Sequence, residues 1–350
     1  MTETSFPVKK KRETSFPRDC TFSKEDWTVL ANYWYPISRI DEISEKPLAV
    51  KLLDVDLVVY KANEKIIVAR DLCLHRGTPL SMGWVEGDNI VCPYHGFSYG
   101  PTGNCTSIPA HPDANISPRL CLTIYPVALR YGLLWTSLTG EEETIPPLYA
   151  WDDENYLNIL PPTIDIDGSA GRQIEGFLDV SHFAWVHHKS FGSRDNPFVP
   201  SYQVEKTDYG LHAEYVSTVS NYPKGAEHLA PPDFKWLRVF DIYPPLAASL
   251  TVHFPNNGQL HILNVPCPIS ARKTRLFSPM ARNFDKDAPI EFTYEFNLRI
   301  FNEDREMVEA QKPEELPLDL QAEVHIAADK TSVAYRQLLK QLGLGTTYTS

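Results

Sequence analysis

The stretch CLHRGTPLSMGWVEGDNIVCPYH, residues 73–95, holds Cys73-x-His75 and Cys92-x-x-His95 with sixteen residues between them. Two thiolates and two imidazoles at this spacing suit one of two chemistries. A structural zinc ion takes four such donors as a closed, redox-silent tetrahedron. A two-iron, two-sulfide cluster takes the cysteines on one iron and the histidines on the other. Its neutral imidazoles raise the potential above that of an all-cysteine cluster.

The neighbouring residues decide between them. His75 is followed by Arg-Gly and His95 by Gly. Glycine there lets backbone N–H groups approach the sulfides, an approach that a zinc ribbon does not need. The segment reads as a Rieske [2Fe–2S] site with Cys73, His75, Cys92 and His95 as ligands, which makes a one-electron relay. Cys105 and Cys121 lack a matching histidine and read as ordinary buried thiols.

Outward from this segment the chain is strand-like from residue 29 to about 138. PLAVKLLDVDLVVYKANEKIIVARDLC offers β-branched runs broken by Asp-Val-Asp and Ala-Asn-Glu, as in a small antiparallel β domain. EEETIPPLYAWDDENY (141–156) mixes acids and prolines and reads as a connector. Beyond it, strands such as VFDIYPPLAASLTVHF alternate with helices expected near 176–188, 303–311 and 322–342. The fold class is α+β with a mostly antiparallel second sheet. The expected division is an arm over 1–28, a cluster domain over 29–145 and a second domain over 146–350. The arm repeats ETSFP around KKKR, which reads as flexible or as a docking element between subunits.

The chain has 350 residues and a formal charge of −12, which argues against a nucleic-acid surface. Its apolar runs are too short to cross a bilayer, and no signal-peptide pattern opens it. Six cysteines without such a signal suggest a reducing compartment, the cytoplasm by default.

A second constellation lies in QIEGFLDVSHFAWVHHKS (173–190), which contains Asp179, His182 and His187. On a regular helix His182 and His187 point about 140° apart. One metal can hold both only if the helix unwinds or takes a π-type turn, so a distortion is expected there. Two histidines need a carboxylate to complete the facial triad of a non-haem Fe(II) oxygenase, which leaves positions open for dioxygen. Asp304, in RIFNEDREMVEAQ, is the candidate, in the first turn of a helix whose Met307, Val308 and Gln311 follow the inward stripe; adjacent Glu303 competes. Strands 236–266 and the segment 290–301 are expected to line a pocket, with Phe240, Tyr243, Phe254, Phe292 and Phe296 as aromatic candidates. His253 and His261, nearby, read as core or surface residues.

Together these residues resemble the oxygenase (α) subunits of Rieske non-haem iron oxygenases over roughly residues 30–340. WYPISRI, CPYHG, SHFAWVH, HILNVPCPIS and ADKTSVAYRQLL look most like segments of oxidative demethylases, above all the methylxanthine N-demethylases. The resemblance implies a Rieske domain followed by a helix-grip catalytic domain. It implies one [2Fe–2S] cluster and one mononuclear Fe(II) per chain, and a homotrimer in which one subunit's cluster faces its neighbour's iron. Electrons would come from a separate NAD(P)H-dependent flavin/iron–sulfur reductase or ferredoxin. O2 and a small aromatic or heterocyclic substrate would react, by demethylation or ring hydroxylation. Asp179 matches the acidic bridge between iron and cluster histidines, with the neighbour's His95 as its partner. Many relatives carry Asn where this chain has Gly176; Glu175 beside it offers a displaced polar group. Two other readings compete, a Rieske electron carrier and a zinc-stabilised interaction protein.

Overall fold

A computed structural model describes residues 14–345. They fall into two units, 14–19 with 31–143 and 20–30 with 144–345. Residues 1–13 of the expected arm lie outside the described residues. Thr14 donates to the Leu138 carbonyl of the first unit, whereas residues 20–30 group with the second.

The first unit is all antiparallel. β1 (Tyr35–Arg39) pairs with β11 (Leu133–Thr136), which also pairs with β10 (Ala128–Arg130). A second sheet runs β2 (Leu48–Leu52), β3 (Val55–Ala62), β4 (Lys65–Arg70), β9 (Ile124–Tyr125). A third runs β5 (Trp84–Glu86), β6 (Asn89–Val91), β7 (Ser98–Tyr99), β8 (Cys105–Ser107). The strand breaks fall at Leu53-Asp54 and Asn63-Glu64, where both residues of each turn have positive φ. Two-residue turns of that hand match the twist of a hairpin. Val58, Tyr60 and Ala69 from the second sheet pack with Ile90 and Tyr99 from the third, and Cys73 and Cys92 belong to the same core. Cys105 is buried as expected, but Cys121 is only half-buried.

The second unit opens with α1 (Lys24–Leu30), whose Asp26 accepts the backbone N–H of Gly345. Its sheet has the order β12 (Leu157–Ile159), β20 (Met280–Arg282), β18 (Gln259–Ser270), β17 (Ala247–His253), β16 (Trp236–Tyr243), β15 (Leu211–Ser217), β14 (Gln203–Lys206). β13 (Ile164–Ile166) joins through β19 (Lys273–Phe277), which pairs with β18. Alternate residues of β16 are buried, the period-2 signature of a sheet with one covered face. α2 (Ala170–Leu178) packs on β17 and β18 and against α3 (Ile290–Ala310) and α4 (Lys330–Gln341). The Ser169 hydroxyl caps α2 by accepting the Arg172 N–H.

Buried charges tie these helices together. Arg336 of α4 reaches Glu175 of α2 through Nε and Nη2, at 2.6 and 2.8 Å, and also reaches Glu323. Arg172 completes the group, pairing with Glu323 at 2.8 Å and Glu175 at 3.3 Å. Removing one member leaves a buried charge undercompensated. Arg336→Ala is expected to cost about 3 kcal/mol, a drop of about 6–12 °C in the thermal midpoint, with Arg336→Lys milder.

On the opposite side of the sheet His212 stands across from Asp241, Nδ1 to Oδ1 2.7 Å. That hydrogen bond raises the histidine above its ordinary pKa. Its stabilisation is therefore complete below about pH 6.5 and fades as pH rises through the raised value. The thermal midpoints of wild type and His212→Gln are expected to converge on going alkaline.

Candidate metal centres and cavity

Cys73 and Cys92 open two loops of the same construction. The Cys73 carbonyl accepts the Gly77 N–H at 2.9 Å, and the Cys92 carbonyl accepts the Gly96 N–H at 3.0 Å. The Cys73 N–H donates to Thr78 O and the Cys92 N–H to Phe97 O. Both glycines have positive φ, 75° and 72°, and a Cβ at Gly96 would lie 2.9 Å from Pro109 Cγ. The glycines thus close each loop onto its own cysteine carbonyl, a tighter role than the expected approach to the sulfides. The His75 and His95 rings face each other edge-on, with centroids 4.6 Å apart. His75 stacks on Phe97, and its Nδ1 is buried without a hydrogen-bond partner. A buried, unsatisfied ring nitrogen beside two buried thiols fits a metal–sulfur cluster. The Tyr99 hydroxyl lies 3.4 Å from Cys73 Sγ.

In the second unit α2 stops at Leu178. Asp179 is extended (φ −74°, ψ 126°), and His182–Ala184 form a single 3₁₀ turn. The expected distortion is therefore an unwound segment, with one π-type bond, Gly192 N–H to His187 O at 2.8 Å. A Cβ on Gly192 would sit 1.9 Å from Phe183 O, so only glycine allows this closure. The unwinding turns His182 and His187 towards Asp304. His182 Nε2 and His187 Nε2 are 3.0 Å apart, and Asp304 Oδ1 lies 3.0 Å from the latter and 3.4 Å from the former. Donors bound at right angles about 2.1 Å from one ion are themselves about 3.0 Å apart. Among the described residues this is the one group of three His, Cys, Asp or Glu donors that converges closely enough to hold an ion.

Carboxylates stand behind both imidazoles. His187 Nδ1 is 2.8 Å from Glu303 Oε2, which also accepts the Ser190 hydroxyl at 2.7 Å. His182 Nδ1 is 3.4 Å from Asp179 Oδ2, whose other oxygen accepts the N–H and hydroxyl of Ser181. Glu303 is thus no rival to Asp304; the two adjacent acids address opposite nitrogens of His187. Burial alone would lower the His182 pKa, but Asp179 and Asp304 outweigh it and lift the group to about 10. Burial would likewise raise Asp304, yet the two imidazoles hold it at about 2. Three carboxylates, Asp179, Glu303 and Asp304, face two imidazoles, a surplus of negative charge that suits a dication. Glu175 does not replace a polar group at Gly176, because Arg336 and Arg172 claim its carboxylate.

Residues 33–126 match the Rieske [2Fe–2S] domain, and residues 166–344 match the vanillate O-demethylase oxygenase C-terminal domain. The chain is a Rieske oxygenase. It is 31% identical to the methylxanthine N1-demethylase NdmA of Pseudomonas putida, over 89% of each chain. Identity to the methylxanthine N3-demethylase NdmB of the same organism is 31%, over 91% of each. The solved structure of NdmA with caffeine superposes with a TM-score of 0.80 and 29% identity, covering 91% of this chain and 92% of that one. Relatives of this kind make the protein an oxidoreductase of the oxygenase type.

In this Rieske oxygenase a cavity of about 320 Å³ opens beside His182, His187 and Asp304. Phe254, Phe292 and Phe296 line it as expected. Phe240 does not. It is buried edge-on behind Phe177, which takes the lining position. Tyr243, His253 and His261 do not line it either. They occupy the alternate positions of their strands, and His261 bonds Thr251. The helix expected over 303–311 begins at Ile290, so Asp304 lies in its later turns. Met307 is exposed and Gln311 is the helix C-cap, leaving Val308 alone of that stripe buried. The missed signal was Thr293, Phe296, Asn297, Ile300, Phe301 and Asp304, a 3.6-residue stripe that faces the cavity. Sequence reading also missed Glu303 as the partner of His187, and two arginines in the lining, Arg238 and Arg282.

Glu303→Gln is expected to weaken divalent-metal binding about 10–100-fold, read as iron retained against a chelator. The visible cluster spectrum should not change.

Proposed function

We propose that this chain is the terminal oxygenase of a multicomponent system that oxidatively removes a methyl group from a small aromatic or heterocyclic substrate. Cys73, His75, Cys92 and His95 would hold one [2Fe–2S] cluster in the domain over 29–145. His182, His187 and Asp304 would hold one mononuclear Fe(II) in the domain over 146–350. Together these groups would supply single electrons and activate dioxygen. One observation carries the reading: three donor atoms within 4.8 Å of one another beside a largely apolar cavity. A pure electron carrier has no use for such a cavity.

The chain's own residues do the placing. Asp179 and Glu303 fix the ring planes of His182 and His187 through Nδ1, leaving both Nε2 atoms for the metal. The aromatic lining excludes water and sets which carbon lies nearest the metal. Oxidising an N- or O-methyl carbon gives a hemiaminal or hemiacetal, which collapses to formaldehyde and the demethylated product. Methylxanthine demethylases among the relatives favour this outcome over ring hydroxylation. We also infer a homotrimer served by a separate NAD(P)H-dependent reductase or ferredoxin, with Asp179 bridging to the neighbour's cluster. The exposure of His95, against the half-buried His75, supports His95 as the cluster residue reached.

Anaerobically purified protein is expected to carry about three irons and two acid-labile sulfides per chain, with negligible zinc. Turnover should release one formaldehyde per demethylated product. Zinc without sulfide would overturn the reading. Hydroxylated product without formaldehyde would replace demethylation by ring oxidation.

A further inference from the structure

Two arginines line the cavity, and no carboxylate pairs with either among the described residues. Arg238 occupies an inward position of β16, between Trp236 and Phe240, and is completely buried. Its Nη1 donates to Ser217 Oγ at 3.0 Å and its Nη2 to Val219 O at 2.7 Å. The guanidinium lies 5.3 Å from the Phe183 ring and 5.8 Å from Tyr215. All of these partners are neutral. Burial drives its pKa down to about 10, opposed only by Tyr215.

Arg282 is 9% exposed. Its Nη2 donates to the backbone oxygen of Asp285 at 2.8 Å, and it sits 5.7 Å from the Phe284 ring. Its Nε is buried with no hydrogen-bond partner. Asp285 also lines the cavity, but its carboxylate makes no ion pair with Arg282; burial outweighs its charge and lowers the arginine's pKa. A third donor in the lining, Asn221 Nδ2, is also buried and unpaired.

The register ties the arginines together. Arg238 stands opposite Val252, Val252 opposite Leu260, and Leu260 opposite Arg282. All four line the cavity. They form one row across four neighbouring strands, so the arginine Cα atoms are about 14 Å apart, three strand spacings. The row is an apolar floor with a cation at each end. Buried cations without counterions are costly unless a ligand supplies the charge.

We infer that the cavity is built for an anionic arene, a methylated or methoxylated ring bearing a carboxylate or sulfonate, whose oxyanion takes the Arg282 Nε–H in the field of Arg238. The ring lies over Val252 and Leu260. This rests on the oxygenase reading above and narrows its substrate class away from neutral heterocycles.

The test is equilibrium binding to the anaerobic holoenzyme by calorimetry, which needs no turnover. The probes are 4-methoxybenzoate against 4-methoxybenzamide, 4-methylbenzenesulfonate against its sulfonamide, and caffeine. At least one oxyanion is expected to bind tenfold or more tightly than its neutral partner, and the tighter of the two identifies the acid group. Arg282→Gln should remove that preference, with an unchanged visible cluster spectrum and iron content reporting an intact fold. Arg282→Lys should keep part of the preference. Equal or tighter binding of the amides or caffeine, no binding of any probe, or a full preference surviving in Arg282→Gln would overturn the inference. Iron, sulfide and formaldehyde judge the oxygenase reading separately. Iron-replete protein that prefers neutral ligands would sink only the inference drawn here.

Discussion

The second unit depends on bringing two imidazoles and a carboxylate within about 3 Å of one another, an arrangement that a regular helix forbids. His182 and His187 are five residues apart, and α2 must end before them for their Nε2 atoms to converge. Ending it at Leu178 exposes backbone groups that need partners. The His182 carbonyl accepts two N–H groups, from Trp185 and Val186, and the His187 carbonyl accepts three. Gly192 permits the last of these by lacking a Cβ. The carbonyls left at the helix end find other donors, Asp179 N–H for Glu175 and Gly176 and the Thr331 hydroxyl for Leu178.

The ion cluster of Arg172, Glu175, Glu323 and Arg336 is the counterpart of that irregularity. It anchors the regular part of α2 to α4 one turn before the helix breaks. A polar group next to Gly176 looked available to the iron site from sequence, but two arginines already hold Glu175. Val308 fills the space on the other side, where a Cβ on Gly176 would lie 3.7 Å from its Cγ2.

Spacing made the metal-site candidates legible, because ligand chemistry restricts residue type and order together. The cysteine and histidine pairs, and the mismatch between His182 and His187, could be read without coordinates. The long helix could not be read as easily. Its first half, IEFTYEFNLRIF, is rich in aromatic and β-branched residues that favour strands, and its cavity stripe is broken by polar Thr293 and Asn297. Glu303 and Asp304 were indistinguishable by charge. Only the helical rotation of about 100° between them sends one to Nδ1 and the other to Nε2 of the same ring. Phe240 was misplaced because alternation says which face a residue takes, not which neighbour covers it.

Arg238 shows the opposite case, a signal present in the sequence and passed over. In WLRVFDIY the inward positions are Trp236, Arg238, Phe240 and Ile242, so a cation sits where the pattern calls for an apolar side chain. Local inconsistency of that kind tends to mark function. The metal donors come from an unwound segment and a helix, whereas the charged row comes from the sheet floor. The two meet at Phe183, whose ring lies between the Arg238 guanidinium and the His182 and His187 rings. Superposition on a caffeine-bound relative speaks to the scaffold; a shared fold does not by itself fix the ligand, which depends on the side chains that line the cavity.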